Sequence, residues 1–336
     1  MALIFMFIVD AHLDLAYNAV HGRELLRPAA EQKPEPDDIP TVGLPDLRNG
    51  HVRLICATIF CEPALGDKPG YVTPDEAHAA GMRQLEWYQQ QVQSGELALV
   101  TTPAELPPLS TPAARAIPAI LLLEGADALR GPEDVLQWHS AGLRIVGLAW
   151  RRTRLAGGSG APGPLTEEGI TLVRELDRFG IIHDTSHLAE ESFWQLLDLT
   201  PGPVMASHSN SRSIVPSDRQ LSDAMARALF ARGGVIGINF FDKFLLPPDD
   251  YGHRRATLAD VTRHIRDFCD LAGDATHVGL GTDMDGGLGR DQIPAEIRTS
   301  ADLPRIADAL SSTGFSDDDV RGILGGNWWE FFGRSL

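Results

Sequence analysis

The residues most able to do chemistry lie at the ends of short apolar runs. Ile181-Ile182 leads into Ser186-His187, and Pro203-Val204-Met205-Ala206 leads into Ser207-His208, with a polar, helix-like segment between them. A strand, helix, strand order delivers both imidazoles to the carboxyl-terminal edge of a parallel sheet, where α/β proteins bind ligands and where two ring nitrogens can share a metal. Taken singly, either histidine is equally well read as an ordinary polar loop residue. Other strand ends break the tie. The first apolar run, Leu3 to Val9, passes into Asp10-Ala11-His12-Leu13-Asp14, and a two-residue period puts His12 and Asp14 on one face. Glu124 directly follows the run Ile117 to Leu123, a costly place for a carboxylate unless a cation pairs with it. Asp283 closes the run His277 to Gly281, where Gly279 and Gly281 leave room beneath it.

His12, Asp14, Glu124, His187, His208 and Asp283 together make three imidazoles and three carboxylates at five strand ends. Mixed nitrogen and oxygen donors suit zinc, with manganese or cobalt as alternatives. Two divalent ions sharing one carboxylate would use about this many ligands and would bring the pKa of a shared water near neutrality.

The elements that must position these groups repeat along the chain. Apolar runs at 3–9, 52–60, 117–123, 144–150, 180–184, 203–206, 234–240 and 277–281 alternate with helix-type segments at 74–94, 133–140, 166–179, 190–199, 221–232 and 258–271. Eight strands alternating with helices predict an α/β fold, a (β/α)8 TIM-like barrel of the metal-dependent hydrolase type, with its active groups at the carboxyl ends of the strands. The expected organisation is a single domain over 1–336. Residues 15–50, rich in proline and charge, are expected to form a long loop or lid after the first strand, or to be partly disordered. Gly157-Gly158-Ser159-Gly160 lacks the Lys-Ser/Thr of a phosphate loop and reads as a flexible active-site loop.

Composition narrows the class. The chain has 336 residues, 43% hydrophobic content and a net charge of −17, which argues against nucleic acid or an anionic membrane surface as a partner. Cys56, Cys61 and Cys269 form no CxxC pair and no even framework, as in a reducing compartment. The apolar amino terminus has neither a basic region nor a cleavage site, and the carboxyl terminus has no lipid-anchor signal. These features read as a soluble, cytoplasmic protein acting on a small molecule. The oligomeric state stays open, a homodimer included.

The ordered motifs resemble those of the membrane (renal) dipeptidase family of the amidohydrolase superfamily. They are His12-x-Asp14, Glu124-Gly125, Asp184-x-Ser186-His187, Ser207-His208-Ser209, the Gly-Gly-Val-Ile-Gly-x-Asn-Phe ending at Phe240, the His-Val-Gly-x-Gly-x-Asp-x-Asp-Gly ending at Gly286, and Gly325-Gly326-Asn327. The likeness covers nearly the whole chain and is strongest from Leu165 to Gly286. It implies a binuclear zinc hydrolase of dipeptides or similar small amides. On that resemblance His12 and Asp14 hold one ion, His187 and His208 the other, and Glu124 both. It also implies that Asp283 moves the proton from the attacking water to the leaving amine, and that Arg219 holds the substrate's carboxylate.

The chain departs from the family at two substrate-facing positions. Trp150 stands where relatives have a histidine that polarises the scissile carbonyl, and an indole can donate one hydrogen bond but cannot carry charge. It would instead offer the substrate an apolar wall. Arg151, Arg152 and His183 are the nearby groups that could take over the polarising role. Phe241 stands where relatives can have tyrosine. Three functions are compatible with this pattern: a dipeptidase, an amidohydrolase for another small amide, ester or lactone, or a metal-bound binding protein without turnover. Retention of Asp283 favours an enzyme, because a binder has no use for a proton carrier.

Overall fold

A computed structural model describes residues 6–35, 38–66, 68–110 and 114–336; residues 3–5 of the expected first strand and 36–37 of the long segment lie outside them. The strands are β1 (Ile8–Leu13), β2 (Val52–Phe60), β3 (Leu97–Leu99), β4 (Ile117–Glu124), β5 (Leu143–Gly147), β6 (Ile182–Asp184), β7 (Val204–Met205), β8 (Ile236–Ile238) and β9 (Val278–Leu280). All pair in parallel in the order β7-β6-β5-β4-β2-β1-β9-β8. A parallel bridge between Ala206 and Ile236, with Ala206 N–H donating to Val235 at 3.0 Å and Gly237 N–H to Ala206 at 2.8 Å, joins β7 to β8. The result is the expected eight-stranded (β/α)8 barrel. The short β3 lies off the ring against the start of β4 and was not expected, because three residues are too few to show a period.

Helices fall between the strands close to their expected spans, and their starts have local causes. Thr73 and Glu76 form a reciprocal cap on Pro74–Gln93, Thr166 caps Glu167–Arg178, and Ser222 caps Asp223–Ala231. The helix expected from 133 begins as one tight turn, Pro132–Asp134, and continues as Val135–Ser140. Within residues 15–50, Leu15–Val20 and Leu44–Asn49 are helical. The Asp285 carboxylate ties this segment to the loop after β9, accepting the N–H groups of Thr41 and Val42 at 2.9 Å each.

Two apolar layers sit on either side of the strands. Ile55, Leu121, Leu123 and Val146 pack outward against helix residues such as Leu85, Leu172 and Phe193. Val9, Leu54, Ile120, Leu122, Ile145, Ile182 and Met205 fill the barrel, and Trp328, Phe331 and Phe332 from the last helix, Asn327–Ser335, join this inner layer. Trp328 is fully buried, stacks on Phe332 at 5.4 Å and donates its indole N–H to Leu280 at 3.0 Å. A Cβ on Gly279 would stand 2.2 Å from that indole nitrogen, so this glycine makes room for Trp328 and not, as expected, for Asp283.

Trp328→Ala should therefore lower stability by about 3–5 kcal/mol through the cavity it leaves. Urea unfolding followed by circular dichroism measures this, and a loss below about 1 kcal/mol would contradict the inner-layer role.

Candidate metal centre

Barrel register brings the polar ends to one level. Phe60 pairs with Glu124, Glu124 with Gly147, Gly147 with Asp184, and Asp184 with Met205, so the loops leaving these strand ends open on the same mouth. His12 leaves β1 where its pairing is irregular between Asp10 and Leu13, and Asp14 stands just beyond the strand, at the start of the next helix. Loop geometry, more than strict alternation, brings these two together. His187 and Asp283 hold left-handed backbone conformations, φ 65° and 59°, which ordinary side chains avoid and which cluster at functional sites. A Cβ on Gly286 would lie 2.0 Å from Asp283 Oδ1 and 3.0 Å from Asp14 Oδ2, so glycine is required beside both carboxylates.

All six expected groups meet in this mouth. Glu124 stands at its middle, with Oε2 3.7 Å from His12 Nε2, and Oε1 3.1 Å from His187 Nε2 and 3.4 Å from His208 Nε2. His12 Nε2 is 3.6 Å from Asp14 Oδ2, and the Nε2 atoms of His187 and His208 face each other at 3.0 Å. His12 Nε2, Asp14 Oδ1 and Glu124 Oε1 are buried without a hydrogen-bond partner. Ligand atoms of His12, Asp14 and Glu124 lie within 4.8 Å of one another, as do those of Glu124, His187 and His208, and those of His12, His208 and Asp283. Unpartnered donors crowded at this spacing fit divalent cations and little else, since buried polar groups otherwise find partners.

The protonation states carry the same strain. Burial, aided by the charges of Arg219 and His12, pushes the His187 imidazole well below its ordinary value, and burial with His12 and Arg219 does the same to His208. Burial also opposes charge on His12, but Glu124, Asp14 and Asp283 overcome it and raise His12 to about 10. Burial, partly offset by His12, raises Glu124 to about 8 and Asp283 to about 7.

Groups behind the mouth were not singled out from sequence. Asp10, buried beneath His12, accepts the Thr282 N–H at 2.8 Å and hydroxyl at 2.6 Å, tying β1 to the strand end that bears Asp283. Asp184 accepts the N–H groups of Ser186 and Ser207 at 3.0 and 2.8 Å. Asn239 donates to Asp283 at 2.8 Å. Asp184 and Asn239 belong to recognised motifs and Asp10 stands two residues before one; what sequence lacks is the partner across strands.

A cavity of about 590 Å³ opens above the centre; Phe60 and Trp150 pack together in its lining, and so do Phe241, Phe244 and Arg219. The Trp150 indole lies 5.3 Å from the Phe60 ring and 6.2 Å from the His187 ring. Arg219 is buried, donates to Ser209 Oγ at 3.0 Å and to the His208 carbonyl at 2.5 Å, and leaves its Nε without a partner. Of Arg151, Arg152 and His183, only Arg151 lines this cavity. Arg152 turns back to the Pro162 carbonyl. His183 alternates with Ile182 and Asp184 on β6, so it faces the helix layer, where its Nε2 pairs with Asp177 at 2.9 Å. Ser159 and Gly160, from the glycine-rich loop, also line the cavity.

The family model for membrane dipeptidase (Peptidase family M19) matches residues 3–334. The crystal structure of dipeptidase AC, a metallopeptidase of family M19, superposes with a TM-score of 0.85 at 26% identity, covering 98% of this chain and 99% of that one. A metallopeptidase from Rhodobacter sphaeroides, solved with a phosphinate mimic of the dipeptide L-Ala-D-Ala, gives 0.84 at 25% identity over 98% and 99%. Dipeptidase aclJ of Aspergillus oryzae is 31% identical over 217 residues, 63% of this chain; the match spans half of that protein's length.

In the metal-free protein these shifts set a pH dependence. His187 and His208 bind fewer protons folded than unfolded, so stability is lost as pH falls through the ordinary histidine value of 6.5. Asp283, Glu124 and His12 hold protons that the unfolded chain has released, so their contribution is present at low pH and lost as pH rises through about 7, 8 and 10. With chelator present, Tm should fall from about pH 7 to 9, on the order of a few °C. Added zinc should reverse that fall, because the ligands bind metal deprotonated. Differential scanning fluorimetry reads both; a Tm that rises with pH in chelator would contradict the centre's electrostatics.

Proposed function

The chain belongs to the membrane dipeptidase family, Peptidase family M19, and from that membership we propose that it is a binuclear metal-dependent hydrolase cleaving a dipeptide or a similar small, carboxylate-bearing amide. The observation that carries this reading is Glu124, whose two oxygens face separate groups of donors, Oε2 toward His12 and Oε1 toward His187 and His208. His12 with Asp14 would hold one ion, His187 with His208 the other, and Glu124 both. Bound there, two divalent ions, zinc by the donor chemistry, would supply Lewis acidity and a water acidic enough to attack near neutral pH. The dipeptide mimic held by the Rhodobacter sphaeroides relative supports the substrate class.

The protein's own groups then divide the work. Asp283, oriented by Asn239, accepts a proton from the attacking water on a carboxyl oxygen and returns it to the leaving amine. Arg219 keeps an unpartnered Nε–H in addition to the donors it already uses, and a guanidinium is suited to a substrate carboxylate. Trp150 and Phe60 give the amino-terminal part of the substrate a flat apolar wall. Arg151, exposed at the edge of the cavity beside Trp150, is the cation that we assign to the developing oxyanion, since Arg152 and His183 do not line the cavity. The altered wall also favours a second reading, an amidohydrolase for a bulkier amide, ester or lactone, and a substrate panel separates the two.

The reading is tested with zinc-reconstituted protein on a panel of dipeptides, N-acyl amino acids and lactones. Asp283→Asn should keep its metal and lose turnover by a factor on the order of 10² or more; unchanged turnover would remove Asp283 from the mechanism. Simple L,L-dipeptides should be slow beside substrates with an aromatic amino-terminal residue. Trp150→His should raise kcat on the simple ones and lower it on the preferred one. If that change has no effect and wild type already reaches about 10⁵ M⁻¹s⁻¹ on simple dipeptides, the role assigned to Trp150 is wrong.

A further inference from the structure

One hydroxyl beneath the centre touches both of its halves. Ser207 Oγ lies 2.5 Å from Asp184 Oδ2, 2.7 Å from His208 Nδ1 and 3.3 Å from His12 Nδ1, and all four residues are buried. A serine hydroxyl has one proton to donate and two lone pairs to accept with. Asp184 takes the proton in a short charge-assisted bond, and its other contacts, the N–H groups of Ser186 and Ser207, hold it in place. Both lone pairs of Ser207 are then free to accept Nδ1–H from His208 and from His12. An imidazole held this way carries its proton on Nδ1 and turns a bare Nε2 into the cavity, the state that a metal ligand needs.

The backbone keeps this hydroxyl in place. A Cβ on Gly281 would stand 1.8 Å from the Ser207 carbonyl oxygen and one on Gly237 1.9 Å from it, so glycine at both positions lets three strand ends close around Ser207. The rings of His12 and His208 lie only 3.7 Å apart between centroids, so rotation of one presses on the other. His187 is held separately, its Nδ1 3.2 Å from Ser159 Oγ on the loop after β5. Ser186 cannot serve in place of Ser207, because its hydroxyl meets the backbone N–H of His208 at 3.0 Å and not the ring.

We propose that Ser207, anchored by Asp184, is a positioning residue that sets the tautomer and direction of one histidine in each metal site and so tunes the two sites together. This rests on the two-site reading above. The two ions are therefore not independent in affinity, although their ligands come from opposite sides of the barrel: loss of one hydroxyl weakens both.

Metal affinity, not turnover, is the measurement that decides. Zinc and cobalt are titrated against a chromophoric chelator into metal-stripped wild type, Ser207→Ala and Asp184→Asn, with thermal unfolding confirming that each is folded. Wild type should take up two ions, and Ser207→Ala should bind both more weakly, by about 10 to 100-fold, the usual effect of removing a partner behind a ligand. Asp184→Asn should shift both in the same direction. Weakening of one ion alone, or of neither, overturns shared tuning while leaving the two-site reading intact. A wild type that takes up fewer than two ions overturns that reading and this one with it. Should the variants fail to fold, the zinc-loaded wild type decides by long-range ¹H–¹⁵N spectra. Exchange-protected Nδ1–H on both His12 and His208 supports the proposal, and an Nε2–H on either overturns it.

Discussion

The constraint on which the structure depends is the concentration of ionisable groups in a mouth too dry to solvate them. Three imidazoles and three carboxylates meet around Glu124, with His187 Nε2 and His208 Nε2 at 3.0 Å and several neighbouring atoms left without a hydrogen-bond partner. In low dielectric such groups repel, change protonation state or need a cation. Here they do so in opposite directions: two histidines are forced neutral, one is held charged by carboxylates, and two carboxyls are pushed toward neutral pH. No arrangement of protons relieves every contact at once. Divalent ions would, by replacing shared protons with shared positive charge.

A centre of this kind would drive its strands apart without a stiff support, and the barrel provides one on two levels. Below, the inner apolar layer is closed by Trp328 and Phe332, brought back by the last helix into space that Gly279 leaves free. Directly beneath the ligands, Asp10 ties β1 to the end of β9 through Thr282, and Asp184 ties the end of β6 to the residues after β7. These carboxylates are satisfied by strand-end N–H groups and hydroxyls, so they add order without adding to the unpaired charge of the mouth. Stability and function thus occupy successive levels of one ring.

Specificity belongs to the rim. Loops can change without disturbing the ring beneath, and on the reading proposed above the candidate ligands keep the family pattern while Trp150 and Phe241, in the cavity lining, depart from it. A histidine replaced by an indole exchanges a polarising group for apolar area. The rim nevertheless retains positive charge, since Arg151 and Arg219 both line the cavity. The expected consequence is a changed preference among substrates, with the hydrolytic centre preserved.

Barrel class and the six polar groups that meet in its mouth were legible in the chain itself, because a buried strand reads as a short apolar run and a polar residue placed just after it has nowhere to point but the mouth. His12, Asp14, Glu124, His187, His208 and Asp283 were all found by that rule. The rule is local, and it ended where geometry stopped being local. β3 is too short to carry a period. His12 and Asp14 meet through an irregular strand end and not through alternation, and Gly279 serves a tryptophan 49 positions away rather than the neighbouring aspartate. Arg151, Arg152 and His183 all stood open as polarising groups. Only the path of the loop and the side of β6 decided that Arg151 reaches the cavity, that Arg152 is spent on the Pro162 carbonyl and that His183 faces Asp177. The link through Ser207 is the clearest case. A serine beside a histidine states nothing about a second histidine far earlier in the chain, and only closure of the barrel, which brings the ends of β1, β6 and β7 together, makes one hydroxyl a neighbour of both.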